Sequence, residues 1–224
     1  MTSLDDLADR IRMRSRGADR FVVAIAGPPG AGKSTLAASL AARLPPAETA
    51  VLQADGFHFD NDLLVRLGRR DRKGAPDTFD VAGLDVMLGR IRAREDRLVA
   101  PVFDRGLDVA RAGAIEIGAQ VRLVLVEGNY LLLTRGPWAA LRRRFDLTIR
   151  IDVPRAELER RLLARWHELG WSVAAARAWV DGNDLPNVDT VLADSGPADF
   201  VWSPDPAANR TLDPNEPTRE PPVA

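Results

Sequence analysis

Gly27, Gly32, Lys33 and Ser34 fit the spacing G-x-x-x-x-G-K-[ST] within GPPGAGKS, a pattern suited to gripping a phosphate chain. Glycines let the backbone curl without Cβ clashes, so that successive N–H groups converge on an anion. Pro28 and Pro29 have no N–H to give, which leaves Gly30, Ala31, Gly32, Lys33 and Ser34 as the donors. A helix that follows adds the positive end of its dipole. The expected nucleotide-contacting set is Gly27, Gly30, Ala31, Gly32, Lys33, Ser34 and Thr35. Lys33 is expected to reach the β- and γ-phosphates, and the Ser34 hydroxyl to ligate Mg²⁺.

Two carboxylates stand where strands end. Asp55 follows Ala50–Gln53 and precedes Gly56. At the carboxyl end of a strand in a parallel sheet it faces the ligand crevice. There it could orient, or take the proton from, a hydroxyl attacking the γ-phosphate; the other reading is the acid of an Asp-Gly turn. Glu127 closes the apolar run VRLVLV, the position at which a carboxylate holds a divalent ion. Positive charge over the transferring group is expected from Arg161 and Arg165, four apart on one helix face. His58 either contacts substrate or packs in its loop.

These groups need elements to carry them. Phe21–Ala26 reads as a buried strand, Thr35–Leu44 as the helix after the loop, and Pro45-Pro46 as its end. An amphipathic helix is expected over 3–17, and short helices over 61–67 and 82–94, the latter capped by Asp80. Between them Arg69, Arg70, Arg72 and Lys73 read as a solvated loop, with anion contact as the alternative. Leu98–Phe103 and Ala114–Ile117 suggest a small hairpin beside the main sheet, with Asp104-Arg105-Gly106 at its turn. Arg105 is there either a substrate contact or half of a turn salt bridge with Asp104. Strands follow at 121–126, 145–153 and 199–202. Between the last two, Pro154 opens a helix that stops at Gly170, and 171–194 returns as a second lid helix.

Composition narrows the class. The chain has 224 residues, 28% charged, with a formal net charge of −1, so bulk electrostatics suggests neither nucleic acid nor membrane as partner. It contains no cysteine, which excludes a disulfide framework and thiolate chemistry. The N-terminus lacks the apolar core of a signal peptide, and a cytoplasmic enzyme is expected. Lysine occurs only at 33 and 73, in a chain whose other basic residues are arginine. No N-K-x-D segment is present to read guanine.

Taken together, GPPGAGKST, DGFH after the second strand, PDTFD, PVFD, VLVEGNYLL and ERRLLARWHE resemble the uridine kinase, phosphoribulokinase and pantothenate kinase group of phosphate-loop kinases. The similarity runs from Phe21 to Trp202, and DGFHFDN with RKGAPDTFDVAGL is similar to a branch provisionally assigned as fructose-transport-associated or nucleoside kinases. The resemblance implies Asp55 as catalytic base, Glu127 as metal-associated carboxylate, Asp77 as a contact to acceptor hydroxyls, and Arg161 and Arg165 as phosphate clamps. It also implies adenine near the final strand, close to Asn183–Asn187. Uridine kinases have Ser after the base, whereas Gly56-Phe57 is closer to the pantothenate kinase form. An aromatic and histidine set for a uracil ring is not evident after PVFD.

The expectation is therefore an α/β fold, a three-layer α/β/α sandwich with a P-loop NTPase-type parallel sheet of about five strands and a small helical lid. One kinase domain is expected over 1–203, with the lid at about 154–190 and a flexible Pro-rich tail over 204–224, where six prolines fall. The expected activity is ATP- and Mg²⁺-dependent phosphoryl transfer to a hydroxyl of a sugar or sugar-like molecule. A nucleoside or pantothenate-type acceptor is the alternative, and an ATP-binding regulator or NTPase without acceptor is the alternative of another class. A homo-oligomer is left open.

Overall fold

The computed structural model describes residues 3–204 and the backbone of 210–211. In chain order the elements are α1 (Leu4–Arg14), β1 (Phe21–Ala26), α2 (Lys33–Ala41), β2 (Thr49–Gln53), α3 (Asn61–Arg66), α4 (Val81–Arg92), β3 (Arg97–Asp104) and β4 (Val109–Gly118). They continue with β5 (Leu123–Gly128), β6 (Leu147–Ile151), α5 (Arg155–Glu168), α6 (Val173–Trp179), α7 (Leu185–Asp194), β7 (Phe200–Trp202) and β8 (Arg210–Thr211).

The main sheet runs β2-β5-β1-β6-β7-β8; the first five strands are parallel and β8 is antiparallel to β7. β1 and β5 are buried along their whole length, as continuous apolar strands must be when helices cover both faces. Alternation along each strand divides the core in two. Val22, Ala24 and Ala26 of β1, with Val124 and Val126 of β5, pack on the side of α4 and of the 3-10 segment 136–144. Phe21, Val23 and Ile25, with Leu123 and Leu125, pack on the side of α1, α2 and α5. The α/β/α sandwich is thus the observed fold.

β3 and β4 pair only with each other, as an antiparallel hairpin. Their register shifts between Ala100 and Val102, at Pro101, which cannot donate to the ladder. Boundaries depart from expectation at several places: β4 spans Val109–Gly118 rather than 114–117, and α2 spans Lys33–Ala41 rather than 35–44. The first helix ends at Arg14 rather than at 17, and Glu127 lies inside β5 instead of just beyond it. α6 runs through a π-type turn, Val180–Asp184, into α7. Pro204, Arg210 and Thr211 fall in the stretch expected to be a tail; the remainder of that stretch lies outside the described residues.

Candidate active site

After β1 the chain turns through residues 27–32 into α2. Gly32 is the N-cap of α2 with φ of 92°, a left-handed conformation that a Cβ would resist. The Ala31 N–H donates to the Pro28 carbonyl at 3.1 Å, because the loop closes a tight turn there. Ala31 therefore departs from the expected set of inward-facing donors. Among the described residues no backbone carbonyl takes up the N–H groups of Gly30, Gly32, Lys33 or Ser34. These four amides and the start of α2 can act as an anion cradle.

The Lys33 ammonium donates to the Pro28 carbonyl at 3.0 Å, across the mouth of that loop. Burial pushes its pKa down, the carboxylates of Glu127 and Asp55 oppose this, and the Arg105 and Arg165 guanidiniums add to it. Five charged groups from five parts of the chain thus share one electrostatic neighbourhood.

Glu127 keeps step with Leu123 and Leu125, whose face α2 covers, so its carboxylate rises beneath the first turn of that helix. The Ser34 hydroxyl donates to Glu127 Oε1 at 2.9 Å. Burial raises the Glu127 pKa, and Lys33 and the Ser34 hydrogen bond work against that rise. Two hard oxygens at this separation match the edge between adjacent ligands of an octahedron with bonds of about 2.1 Å. The pair suits a small divalent cation whose remaining ligands are water and phosphate. No cluster of three or more acidic or histidine ligands exists among the described residues.

Asp55 occupies a 3-10 turn, Ala54–Phe57, at the end of β2, the neighbour of β5. The β3–β4 hairpin crosses directly above this turn. A Cβ on Gly56 would lie 2.6 Å from the Pro101 carbonyl oxygen, so only glycine admits the approach. From the hairpin turn, Arg105 reaches Asp55 Oδ2 at 3.3 Å. Asp104 instead pairs with Arg111 at 3.1 Å and accepts from the Gly106 and Leu107 amides. The turn salt bridge considered for Asp104 and Arg105 is therefore not formed.

His58 packs and faces the site at once. Its ring lies 3.9 Å from that of Phe79 and 4.7 Å from that of Phe103. Nδ1 is 2.7 Å from the Asp55 carbonyl, which can only accept, so Nδ1 carries the proton. Burial lowers the His58 pKa, keeping the ring neutral and leaving a lone pair on Nε2.

Helix α5 lies over the loop, with Leu162 and the Leu158 carbonyl close to Gly30. Arg161 donates to Glu157 at 2.7 Å and approaches the Gly30 carbonyl at 3.5 Å. Glu157 is shared with Arg160, and the two guanidiniums lower its pKa to about 2. Arg165, one turn on, lies against Trp166; burial and the charge of Arg105 lower its pKa.

In the loop at 69–77 the reading of a solvated basic stretch holds for Arg69, Arg70 and Arg72, whose side chains are 34–43% exposed, and fails at Lys73. Asp77 forms an ion pair with Arg72 (2.6 Å) and Arg69 (3.5 Å), and the Arg72 hydrogen bonds lower its pKa. Arg70 pairs with Asp108 of the hairpin turn at 2.9 Å, so each of the three arginines is engaged with an aspartate. Lys73 is buried, its side chain 6% exposed. The expectation failed because charge along a loop does not reveal which side chain the hairpin will cover.

Asn183 and Asn187 are also turned inward. Asn183 donates to the Lys73 carbonyl at 3.0 Å, and Asn187 to the Asn183 side chain. Tyr130, fully buried, donates to the Gly74 carbonyl at 2.5 Å, and Trp138 Nε1 to that of Pro76 at 2.8 Å. From sequence Asn183 is expected near adenine and Lys73 in a solvated or anion-contacting loop; that Asn183 and Tyr130 hold the backbone of Lys73 and Gly74 is not foreseen there. The one available signal was the survival of a second lysine in a chain that otherwise uses arginine.

No protein-family model matches the chain. It is similar to the uncharacterized protein YggC of Escherichia coli, with 37% identity over 188 residues, covering 81% of this chain and 77% of that one. A provisionally assigned uridine kinase of Schizosaccharomyces pombe is 28% identical over 212 residues, 90% of each chain. Among solved structures, the crystal structure of a provisionally assigned fructose transport system kinase from Silicibacter sp. TM1040 superposes with a TM-score of 0.86 and 41% identity, over 90% of this chain and 100% of that one. Pantothenate kinases are similar too; the chain spans about half of the Enterococcus faecalis protein, which is 30% identical over 154 residues.

Proposed function

We propose, since this chain belongs to the P-loop kinase family of the uridine and pantothenate kinases, that it transfers the γ-phosphoryl group of ATP, with Mg²⁺, to a hydroxyl of a sugar or sugar-like molecule. As a kinase it is a phosphotransferase with an alcohol acceptor; the nucleotide, the ion and the acceptor class are our reading. One observation carries it: the Asp55 carboxylate and the Ser34–Glu127 pair both lie in the field of Lys33 at the mouth of the anion cradle.

The roles follow from position. The amides of Gly30, Gly32, Lys33 and Ser34 hold the phosphate chain, and the Lys33 ammonium leaves Pro28 for the β- and γ-phosphates. Ser34 and Glu127 would hold Mg²⁺, which when bound draws charge from the phosphate oxygens. Asp55 exchanges Arg105 for the acceptor hydroxyl and takes its proton as the O–P bond forms. The transition state is loose, so this proton moves late and alignment matters more than basicity. Arg165, with Arg161 behind it, offsets the charge on the transferring group, and Arg105 and His58 face the acceptor. Asp77, held by Arg72 and Arg69, is given no role. The α5–α7 segment serves as the lid.

The test is ADP release with Mg²⁺ATP against a panel containing D-fructose, uridine and pantothenate, the molecules named for the relatives above. Acceptor-dependent ADP release supports the reading. Hydrolysis that no alcohol stimulates would instead make the chain an NTPase or nucleotide-binding regulator.

A further inference from the structure

Lys73 is a buried cation outside the phosphate loop, and its contacts tie three segments together. Nζ donates to Asn61 Oδ1 at 2.7 Å, at the start of α3, and to the Asp108 carbonyl at 2.6 Å, in the hairpin turn. It lies 3.1 Å from Asp108 Oδ1 and 5.0 Å from the Phe103 ring centre, at the end of β3. Asp108 has φ of 54°, a left-handed conformation uncommon outside glycine that needs outside support. The lysine's own backbone is fixed from below, its carbonyl by Asn183 and that of Gly74 by Tyr130. Burying an ammonium is unfavourable unless partners meet it, and here burial lowers the Lys73 pKa while Asp108 opposes the fall.

Phe103 and the turn that holds Asp108 are also the parts of the hairpin that reach the catalytic side. Phe103 packs on His58, and Arg105, three residues before Asp108, meets Asp55. We propose that Lys73 is a positioning residue for phosphoryl transfer, fixing the tip of the β3–β4 hairpin so that Arg105 and His58 present the acceptor to Asp55. The proposal rests on the reading of Asp55 and Arg105 as the acceptor side. A lysine serving global stability alone would act independently of Arg105.

A double-mutant cycle separates the two, using Lys73→Met, Arg105→Ala and the pair, with whichever panel member the wild-type enzyme phosphorylates. Lys73→Met is expected to raise the acceptor KM about 10-fold in the wild-type background, and less than about 2-fold when Arg105 is already alanine. The KM for ATP stays unchanged. Independent, multiplicative effects, or an equal rise in the KM for ATP, would overturn the proposal. If Lys73→Met does not fold, Asp108→Asn weakens the same tie at a half-exposed side chain and is carried through the same cycle. If no panel member is phosphorylated by the wild type, the kinase reading fails by itself, and hydrogen exchange on the resting protein decides the tie. Faster exchange confined to 103–109, with 123–128 unchanged, supports it; unchanged exchange at the hairpin tip overturns it.

Discussion

The Ser34 hydroxyl and the Glu127 carboxylate, ninety-three positions apart in the chain, are joined by a hydrogen bond of 2.9 Å. Helix start and strand end meet there because α2 packs on the face of β5 that Glu127 shares with Leu123 and Leu125. The contact also explains why a carboxylate is tolerated in a strand buried from end to end.

That tolerance has a thermodynamic sign. Glu127 has a folded-state pKa raised above 4.5, so the native state binds its proton more tightly than the unfolded chain does. The associated stability is fully present below about pH 4.5 and is lost as pH rises through the folded value. At neutral pH the buried charge destabilises the fold. Glu127→Gln should therefore melt higher at pH 7.5, by about 2–4 °C for each kcal/mol relieved in a chain of this size. It should also need more Mg²⁺ for half-maximal turnover. Calorimetry and a Mg²⁺ titration of activity check the two halves; a lower melting temperature contradicts the first.

Asp55→Asn keeps the shape of the side chain and removes its ability to accept a proton. Turnover should fall by about 10²–10⁴-fold, with ATP binding measured by calorimetry unchanged. Wild-type turnover in this variant would remove Asp55 from the role of base.

The two lid arginines should differ. Arg165→Ala takes away a cation placed among Asp55, Asp184 and Lys33, and a loss of about 10³-fold in kcat is expected from the worth of such a group in phosphoryl transfer. Arg161 is engaged with Glu157 and the loop carbonyl of Gly30. Its alanine variant should mainly raise the KM for ATP. Steady-state kinetics on both variants reads the split directly, and equal kcat losses would contradict it.

His58 should show in the acid limb of stability. Its pKa is lowered from 6.5, so the unfolded chain takes up a proton before the native state does. Its contribution is complete above about pH 6.5 and is lost as pH falls below that value towards the folded pKa. His58→Gln should flatten the melting temperature between about pH 5 and 7 relative to wild type. An unaltered slope would show that the ring is not the group responsible.

Gly56→Ala would set a Cβ against the Pro101 carbonyl, 2.6 Å away. Backbone cannot move aside as a side-chain tip can, and a loss of about 1–3 kcal/mol is expected. Denaturant unfolding measures it. A variant of wild-type stability would mean that the hairpin does not lie as closely on this turn in solution.

Much of this was legible from residue order. The phosphate loop, the buried strands around it and the two carboxylates announce themselves through spacing and apolar runs, because local backbone geometry is what those patterns encode. Arg105 and Lys73 were not legible in the same way. Whether Arg105 pairs with Asp104 beside it or with Asp55 fifty residues back depends on where the hairpin lies. Lys73 reads as one more charge of a polar loop until Phe103 and Asp108 are laid over it. Asp77 shows the converse: a well-placed acid in a matching motif whose local arginines claim it first.

The hairpin of β3 and β4 shares no backbone pairing with the main sheet, and rests on it through side chains and one glycine contact. On the proposed reading, the phosphate loop and the turn that brings Arg105 to Asp55 are thereby carried by separate pieces of scaffold. On that reading, residues along those two strands can change, and with them the alcohol accepted, while the phosphate-handling half stays as it is.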